Sequence, residues 1–156
     1  MSVDDPHLHA FTAAMKTRSS ACGLAPTRPS LDPPGAETAR LEGHGDEVTA
    51  LAVLPDGRLA SGVGDKTIRL WNAATGAESA RLEGHRGKVR ALAVLPDGRL
   101  ASGADDRTIR LWDAATGAQI AWLDLDSAIR SLCWLPQARL LVAGDTRGRL
   151  HWLELT

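Results

Sequence analysis

Apolar and polar positions come in short, regularly spaced blocks along most of the chain. Val48-Thr-Ala-Leu-Ala-Val-Leu54 is apolar and rich in β-branched residues, and it stops at Pro55-Asp56-Gly57. There proline presets φ, aspartate can hydrogen-bond the backbone and glycine accepts a positive φ, so the triplet predicts a tight turn. Arg58-Leu-Ala-Ser-Gly62 predicts a second strand. Gly64-Asp65-Lys66 turns into a third, Thr67-Ile-Arg-Leu-Trp71, and Ala74-Thr75-Gly76 turns into a fourth, Glu78–Leu82. Short strands with turn residues at even spacing predict one four-stranded antiparallel sheet.

This unit recurs. Residues 41–81 reappear almost verbatim as residues 82–122, a period of 41 residues, with roughly three quarters of positions identical. A third, eroded copy carries Ile129–Leu135, Arg139–Ala143 and Gly148–Leu153 as its strands, with Pro136-Gln137-Ala138 at the first turn. One such sheet cannot bury both of its faces, so neighbouring copies must stack.

The fragment Ala36-Glu-Thr-Ala-Arg-Leu41 matches residues 77–82 and 118–123, the last strand of each full copy. It has no earlier strands before it, whereas the third copy has no strand of this kind after it. The sequence therefore holds three inner triplets (48–71, 89–112, 129–153) and three outer strands (36–41, 78–82, 119–123). The expected architecture is three blades, with strand 36–41 completing the 129–153 blade. Residues 1–35 form a tail. One short helix is predicted within 1–20, with Asp5 and Pro6 at its start. The proline-rich stretch 20–35 reads as a linker. His7 and His9 lie in the tail, and order there is not needed for the repeats.

Composition narrows the functional classes. The 156 residues are 44% hydrophobic with a formal net charge of −1, so no global basic field favours nucleic acid. No apolar run spans a membrane, and the acidic start is no secretory leader. Cys22 and Cys133 stand in unrelated contexts and read as reduced thiols of a reducing, cytoplasmic compartment.

Gly43-His44 and Gly84-His85, Ser61-Gly62 and Ser102-Gly103, Asp65 and Asp106, and the closing Trp71-Asn72 and Trp112-Asp113 make the repeat resemble the WD40 family over residues 36–156. The resemblance implies an all-β fold of four-stranded blades, part of a β-propeller. It implies a non-enzymatic scaffold for a protein or peptide, with no cofactor. The ending Leu-His-Trp-Leu-Glu-Leu resembles the C-terminal repeats of bacterial WD40 proteins, and a detached or degenerate C-terminal propeller fragment of a larger signalling protein, without independent activity, is the alternative. Three blades do not close a ring, because propellers typically have four to eight. Head-to-tail association of two or three chains would close one.

Each full copy holds the ingredients of a hydrolase triad: His44, Ser61 and Asp65, then His85, Ser102 and Asp106. The resemblance implies a different role. With Trp71 and Trp112 they are expected to form one structural hydrogen-bond network per blade, and a device repeated per blade is no catalytic centre. In the third copy Asp126, Val142 and Thr146 fall near these positions and Trp152 is taken as the retained tryptophan, so that blade is expected to lack the network. No residues stand at metal-ligand spacing; His44 and His85 belong to different blades. The two full copies differ at Gly45/Arg86, Asp46/Gly87, Glu47/Lys88, Thr49/Arg90, Val63/Ala104 and Gly64/Asp105. The resemblance places these differences at a ligand-facing rim. The expected partner-binding set is Asp46, Glu47, Thr49, Arg86, Lys88, Arg90 and Asp105, joined by Arg130 and Asp145 from the third blade.

Overall fold

The computed structural model describes residues 39–155. The predicted tail, its helix and the linker lie outside the described residues. Eleven strands run in order among the described residues: β1 (Val48–Val53), β2 (Leu59–Val63), β3 (Ile68–Trp71), β4 (Glu78–Leu82), β5 (Val89–Val94), β6 (Arg99–Ala104), β7 (Thr108–Asp113), β8 (Gln119–Asp124), β9 (Ile129–Leu135), β10 (Leu140–Asp145) and β11 (Leu150–Glu154). They form three antiparallel sheets, β1-β2-β3-β4, β5-β6-β7-β8 and β9-β10-β11. These are the expected blades, and no helix accompanies them among the described residues. Strand boundaries fall within two residues of those expected from the turn signals. Ala39–Leu41 form no strand in this chain, and β11 has no strand on its outer side among the described residues.

The blades stack through their first strands, β1 on β5 and β5 on β9. Two apolar layers result. Between blades 1 and 2 lie Ala52, Leu54, Ala60, Ile68, Leu70 and Leu82 against Val89, Leu100 and Trp112. Between blades 2 and 3 lie Ala91, Ala93, Leu95, Ala101, Ile109 and Leu111 against Ile129, Leu132, Leu141 and Ala143. The strand alternation explains this: in β5, Ala91 and Ala93 face one neighbour while Leu92 and Val94 face the other.

Glycine sets how closely the blades approach. A Cβ on Gly62 would lie 2.7 Å from Val89 Cγ1, and one on Gly103 would lie 2.4 Å from Ile129 Cγ2. Each β-branched side chain is fully buried over the bare backbone of the blade before it. The same strand carries a β-bulge in every blade, between Val48 and Ala50, between Val89 and Ala91, and opposite Gly144/Asp145 at Arg130. A bulge turns the extra side chain out of the ladder. Thr49, Arg90 and Arg130 are the residues so turned.

Gly103→Ala should therefore pry blades 2 and 3 apart. We expect a loss of about 1–3 kcal/mol of stability, the usual cost of overpacking a fitted contact. Urea unfolding measures it, and Gly98→Ala, at a turn with open space around it but a positive φ, provides a comparison in which only backbone strain contributes.

Candidate functional site

In blade 2 the four expected network residues meet. Trp112 Nε1 donates to Ser102 Oγ (2.8 Å), and Ser102 Oγ lies 2.7 Å from His85 Nε2. His85 Nδ1 faces Asp106 Oδ2 at 3.0 Å. Asp106 also accepts from the Arg86 amide (2.8 Å), the Thr108 amide (3.0 Å) and Thr108 Oγ1 (2.7 Å). The partners assign the tautomer. With the proton on Nδ1, the tryptophan N–H, the serine O–H and the imidazole N–H all point the same way along the chain, and every polar atom is satisfied. Burial pushes the His85 imidazole below its ordinary pKa, against the pull of Asp106. Burial works against ionisation of Asp106, but the bonds from Thr108, the Arg86 amide and His85 bring it down to about 2.

Those distances are those of a nucleophilic triad, yet the surroundings are not. Ser102 is 0% exposed and its oxygen already accepts from an indole. No substrate carbonyl can reach it, so the geometry ties the β4–β5 loop to β6 and β7.

Blade 1 builds the same device less completely. Trp71 Nε1 donates to Ser61 Oγ (2.7 Å), which lies 2.6 Å from His44 Nε2. Asp65 turns to Thr67 instead, accepting from its amide (3.0 Å) and hydroxyl (2.6 Å). His44 Nδ1 is left buried without a hydrogen-bond partner.

Blade 3 corrects two expectations. The strand register pairs Leu153 with Leu141, as Trp112 pairs with Leu100 and Trp71 with Leu59. Trp152 is therefore not the network tryptophan; it takes the place of Leu70 and Leu111 and is exposed. The blade has not merely lost the network, either. The histidine, serine and tryptophan positions are held by Leu125, Ala143 and Leu153, which pack in the apolar layer against blade 2. Asp126, Val142 and Thr146 do not stand in for the missing residues. A second polar cluster forms around Asp145, at the position of Val63 and Ala104. Its buried carboxylate accepts from Ser127 Oγ (2.6 Å), Arg149 Nε (2.8 Å) and the amides of Arg147 (2.8 Å) and Arg149 (3.0 Å), with His151 Nε2 at 2.9 Å. Burial opposes its ionisation, but these bonds hold the carboxyl far below the usual range. Asp126 joins the cluster through Arg149 and Arg147. Asp145, expected on the rim, is thus an internal anchor.

The remaining rim residues come together at one end of the blades. Lys88 Nζ lies 3.4 Å from Glu47 Oε1 and 3.6 Å from Asp46 Oδ2. Arg90 pairs with Asp105 at 2.9 Å and reaches Glu47 at 3.7 Å. Arg130 reaches Asp105 at 3.3 Å. Thr49 Oγ1 donates to Gly62 O (3.0 Å) and also approaches Val89 O of the next blade. Arg86 contributes its amide to Asp106. The alternating charges therefore close on one another in a ladder that crosses both blade boundaries. The sequence differences between copies pointed to the ladder's residues; the bulge that aims Arg90 and Arg130 had no such signal. No group of three or more His, Cys, Asp or Glu residues is placed to hold a metal ion among the described residues.

Residues 35–72 and 76–113 match the family described as "WD domain, G-beta repeat". The chain carries tandem WD40 repeats. Among solved structures, it resembles a chain of the mitotic checkpoint complex, with 32% identity, a TM-score of 0.69 and 74% of this chain covered. It also resembles the WD40 beta propeller domain of Doa1, with 28% identity, a TM-score of 0.67 and 72% covered. The chain spans 38% of the length of each of those chains. No curated protein sequence matches it. WD40 propellers generally mediate protein–protein interactions, and the three sheets are open, propeller-like blades of this kind.

Two outcomes follow from the buried networks. His85→Ala strands Ser102 and Asp106 and should cost about 2–3 kcal/mol; His44→Ala breaks an already incomplete set and should cost roughly 1 kcal/mol less, both read from urea midpoints. The pH dependence has a definite sign. The folded-state pKa of His85 is below its ordinary value, so the unfolded chain takes up the proton first. Stability is complete above about pH 6.5 and falls as pH drops toward the folded-state value. A second loss begins below about pH 4, as Asp106 is protonated on the way to its folded-state value of about 2. Urea midpoints measured against pH should show both steps, and the first should shrink in His85→Ala to the part that His44, also lowered by burial, contributes.

Proposed function

We propose that the protein is a non-enzymatic interaction scaffold that binds a protein or peptide at the rim formed by Asp46, Glu47, Thr49, Arg86, Lys88, Arg90, Asp105 and Arg130. The observation that carries this reading is the recurrent bulge. It turns Thr49, Arg90 and Arg130 out of otherwise regular ladders, and the first two positions differ between nearly identical copies. Rigid strands that present variable side chains are the usual way such scaffolds bind. The rim charges are paired with one another, but exposed ion pairs contribute only about 0–1 kcal/mol each. An incoming carboxylate or ammonium group can exchange with them at little cost. The buried Ser102 and Ser61 supply no accessible nucleophile, in line with a scaffold rather than a hydrolase.

The same reading makes the working form a ring completed by further copies of the chain, in a reducing, cytoplasmic setting. A second reading, a propeller piece without independent activity, draws on the two uncovered apolar end faces described below.

Peptides selected from a random library against the immobilised protein test the rim. Lys88→Glu with Arg90→Glu should weaken the enriched peptides by about tenfold or more in titrations, with unchanged circular dichroism. Equal binding to wild type and variant would refute the rim.

A further inference from the structure

Each blade boundary uses a fixed set of partners, and both ends of the arc carry half of that set uncovered. At the two internal boundaries Val89 sits over Gly62 and Ile129 over Gly103. The next members of the two series are Gly144 and Val48. Over Gly144 lies the rotatable Ser131 hydroxyl of its own blade, which an incoming side chain would turn aside, and Val48 is 49% exposed where Val89 and Ile129 are 0%. The apolar layers repeat the pattern. Ile68 and Leu70, and Ile109 and Leu111, are buried at the internal boundaries; their counterparts Leu150 and Trp152 are 65% and 60% exposed. On the opposite end Leu51 and Val53 are 47% and 42% exposed, where Leu92 and Val94 pack into the layer between blades 1 and 2.

We infer that the outward face of blade 3 docks on the outward face of blade 1 of a second copy of this chain, with Val48 of one copy over Gly144 of the other and Leu150 and Trp152 against Leu51 and Val53. This rests on the ring reading above and names its contact. The contact is heterologous: one face meets a different face, and each copy keeps one of each, so association propagates until the ring closes. Uncovered apolar surface of this extent is what drives such docking.

Charge agrees. At the first internal boundary Lys88 meets Asp46 and Glu47. At the docked boundary Glu47 of the second copy takes the place of Lys88. It meets Ser127 and Ala128, which stand where Asp46 and Glu47 stand in blade 1. The acids that would repel it belong to blade 1; blade 3, with Ser127 and Ala128 in their place, presents no like charge to it there.

The outer edge agrees as well. Leu82, at the end of β4, is 1% exposed and packs by the turn at Gly117 of blade 2; Leu123, its counterpart at the end of β8, is 43% exposed beside the three-stranded blade 3. Leu41 already sits by the turn at Gly76 of blade 1, its Cδ2 2.9 Å from the place of a Gly76 Cβ, as Leu82 sits by Gly117. Leu41 would then lie beside the open edge of β11 of the docked copy, as Leu82 lies beside blade 2.

Light scattering on the full chain tests this. Wild type should run at a whole multiple of 16.6 kDa. Trp152→Glu and Leu51→Glu change exposed side chains on opposite faces, and each alone should run as a folded 16.6 kDa monomer. Mixed together, they retain one good face of each kind and should form a species of two chains. A folded wild-type monomer at about 100 μM would overturn the proposal, since a contact of this size is expected to hold at that concentration. So would an assembly that survives either substitution, or a mixture that stays monomeric. Lys88→Glu with Arg90→Glu should leave the mass unchanged, which separates failure of the docking from failure of the rim.

Discussion

The contact on which the structure depends is a β-branched side chain laid over a glycine of the preceding blade. Val89 over Gly62 and Ile129 over Gly103 bring the inner strands close enough for two continuous apolar layers to form. A blade alone is a sheet with two apolar faces and could not stay folded in water. Stability in such arrays resides in the boundaries as much as in the units. The alternation that places Ala91 and Ala93 on one side of β5, and Leu92 and Val94 on the other, serves two boundaries with one strand.

Polar networks support these boundaries from within each blade, and the three blades show three solutions. Blade 2 satisfies every atom of its Trp112–Ser102–His85–Asp106 chain. Blade 1 leaves His44 Nδ1 without a partner. Blade 3 has exchanged the histidine, serine and tryptophan together for Leu125, Ala143 and Leu153, and the exchange makes physical sense only as a set. A lone leucine in place of the tryptophan would leave the buried serine oxygen without its indole donor, and a lone leucine in place of the histidine would strand the serine and the aspartate, the costly half-network. Asp145 then anchors the β10–β11 turn that Asp65 and Asp106 anchor elsewhere, using Arg147, Arg149, Ser127 and His151.

Much of the fold was legible because the chain repeats itself. Two near-identical copies fixed the number of strands, their order and their turns, and His85, Ser102, Asp106 and Trp112 could be read as a structural set before any geometry. Blade 3 was misread for a specific reason. Aligning on the visible tryptophan put Trp152 in the network, whereas aligning on Gly144 would have put Leu153 there and shown that the polar set had been replaced wholesale. Asp145 was misplaced by the same slip: a one-residue shift of register moves a side chain from one face to the other. The rim was half legible. Differences between copies marked Glu47, Lys88, Arg90 and Asp105, but their mutual pairing depends on which blade lies beside which, and on bulges that have no residue signature.

The eroded blade differs from the other two in ways that suit the proposed docking. Random loss of the repeat would be expected to scatter polar residues over both faces of blade 3. Here the face toward blade 2 is more apolar, and the outward face carries Leu150, Val142 and Leu135, with Trp152 in place of a leucine and Ser131 in place of an alanine. The rim of the same blade carries Ser127 and Ala128 where blade 1 carries Asp46 and Glu47. A large indole contributes most when its whole surface is removed from water, which the proposed docking would do for Trp152. On the proposed docking, the departures from the family pattern in blade 3 and its contact surface coincide. On that proposal, the blade least like the other two carries the face that meets blade 1 of a second copy.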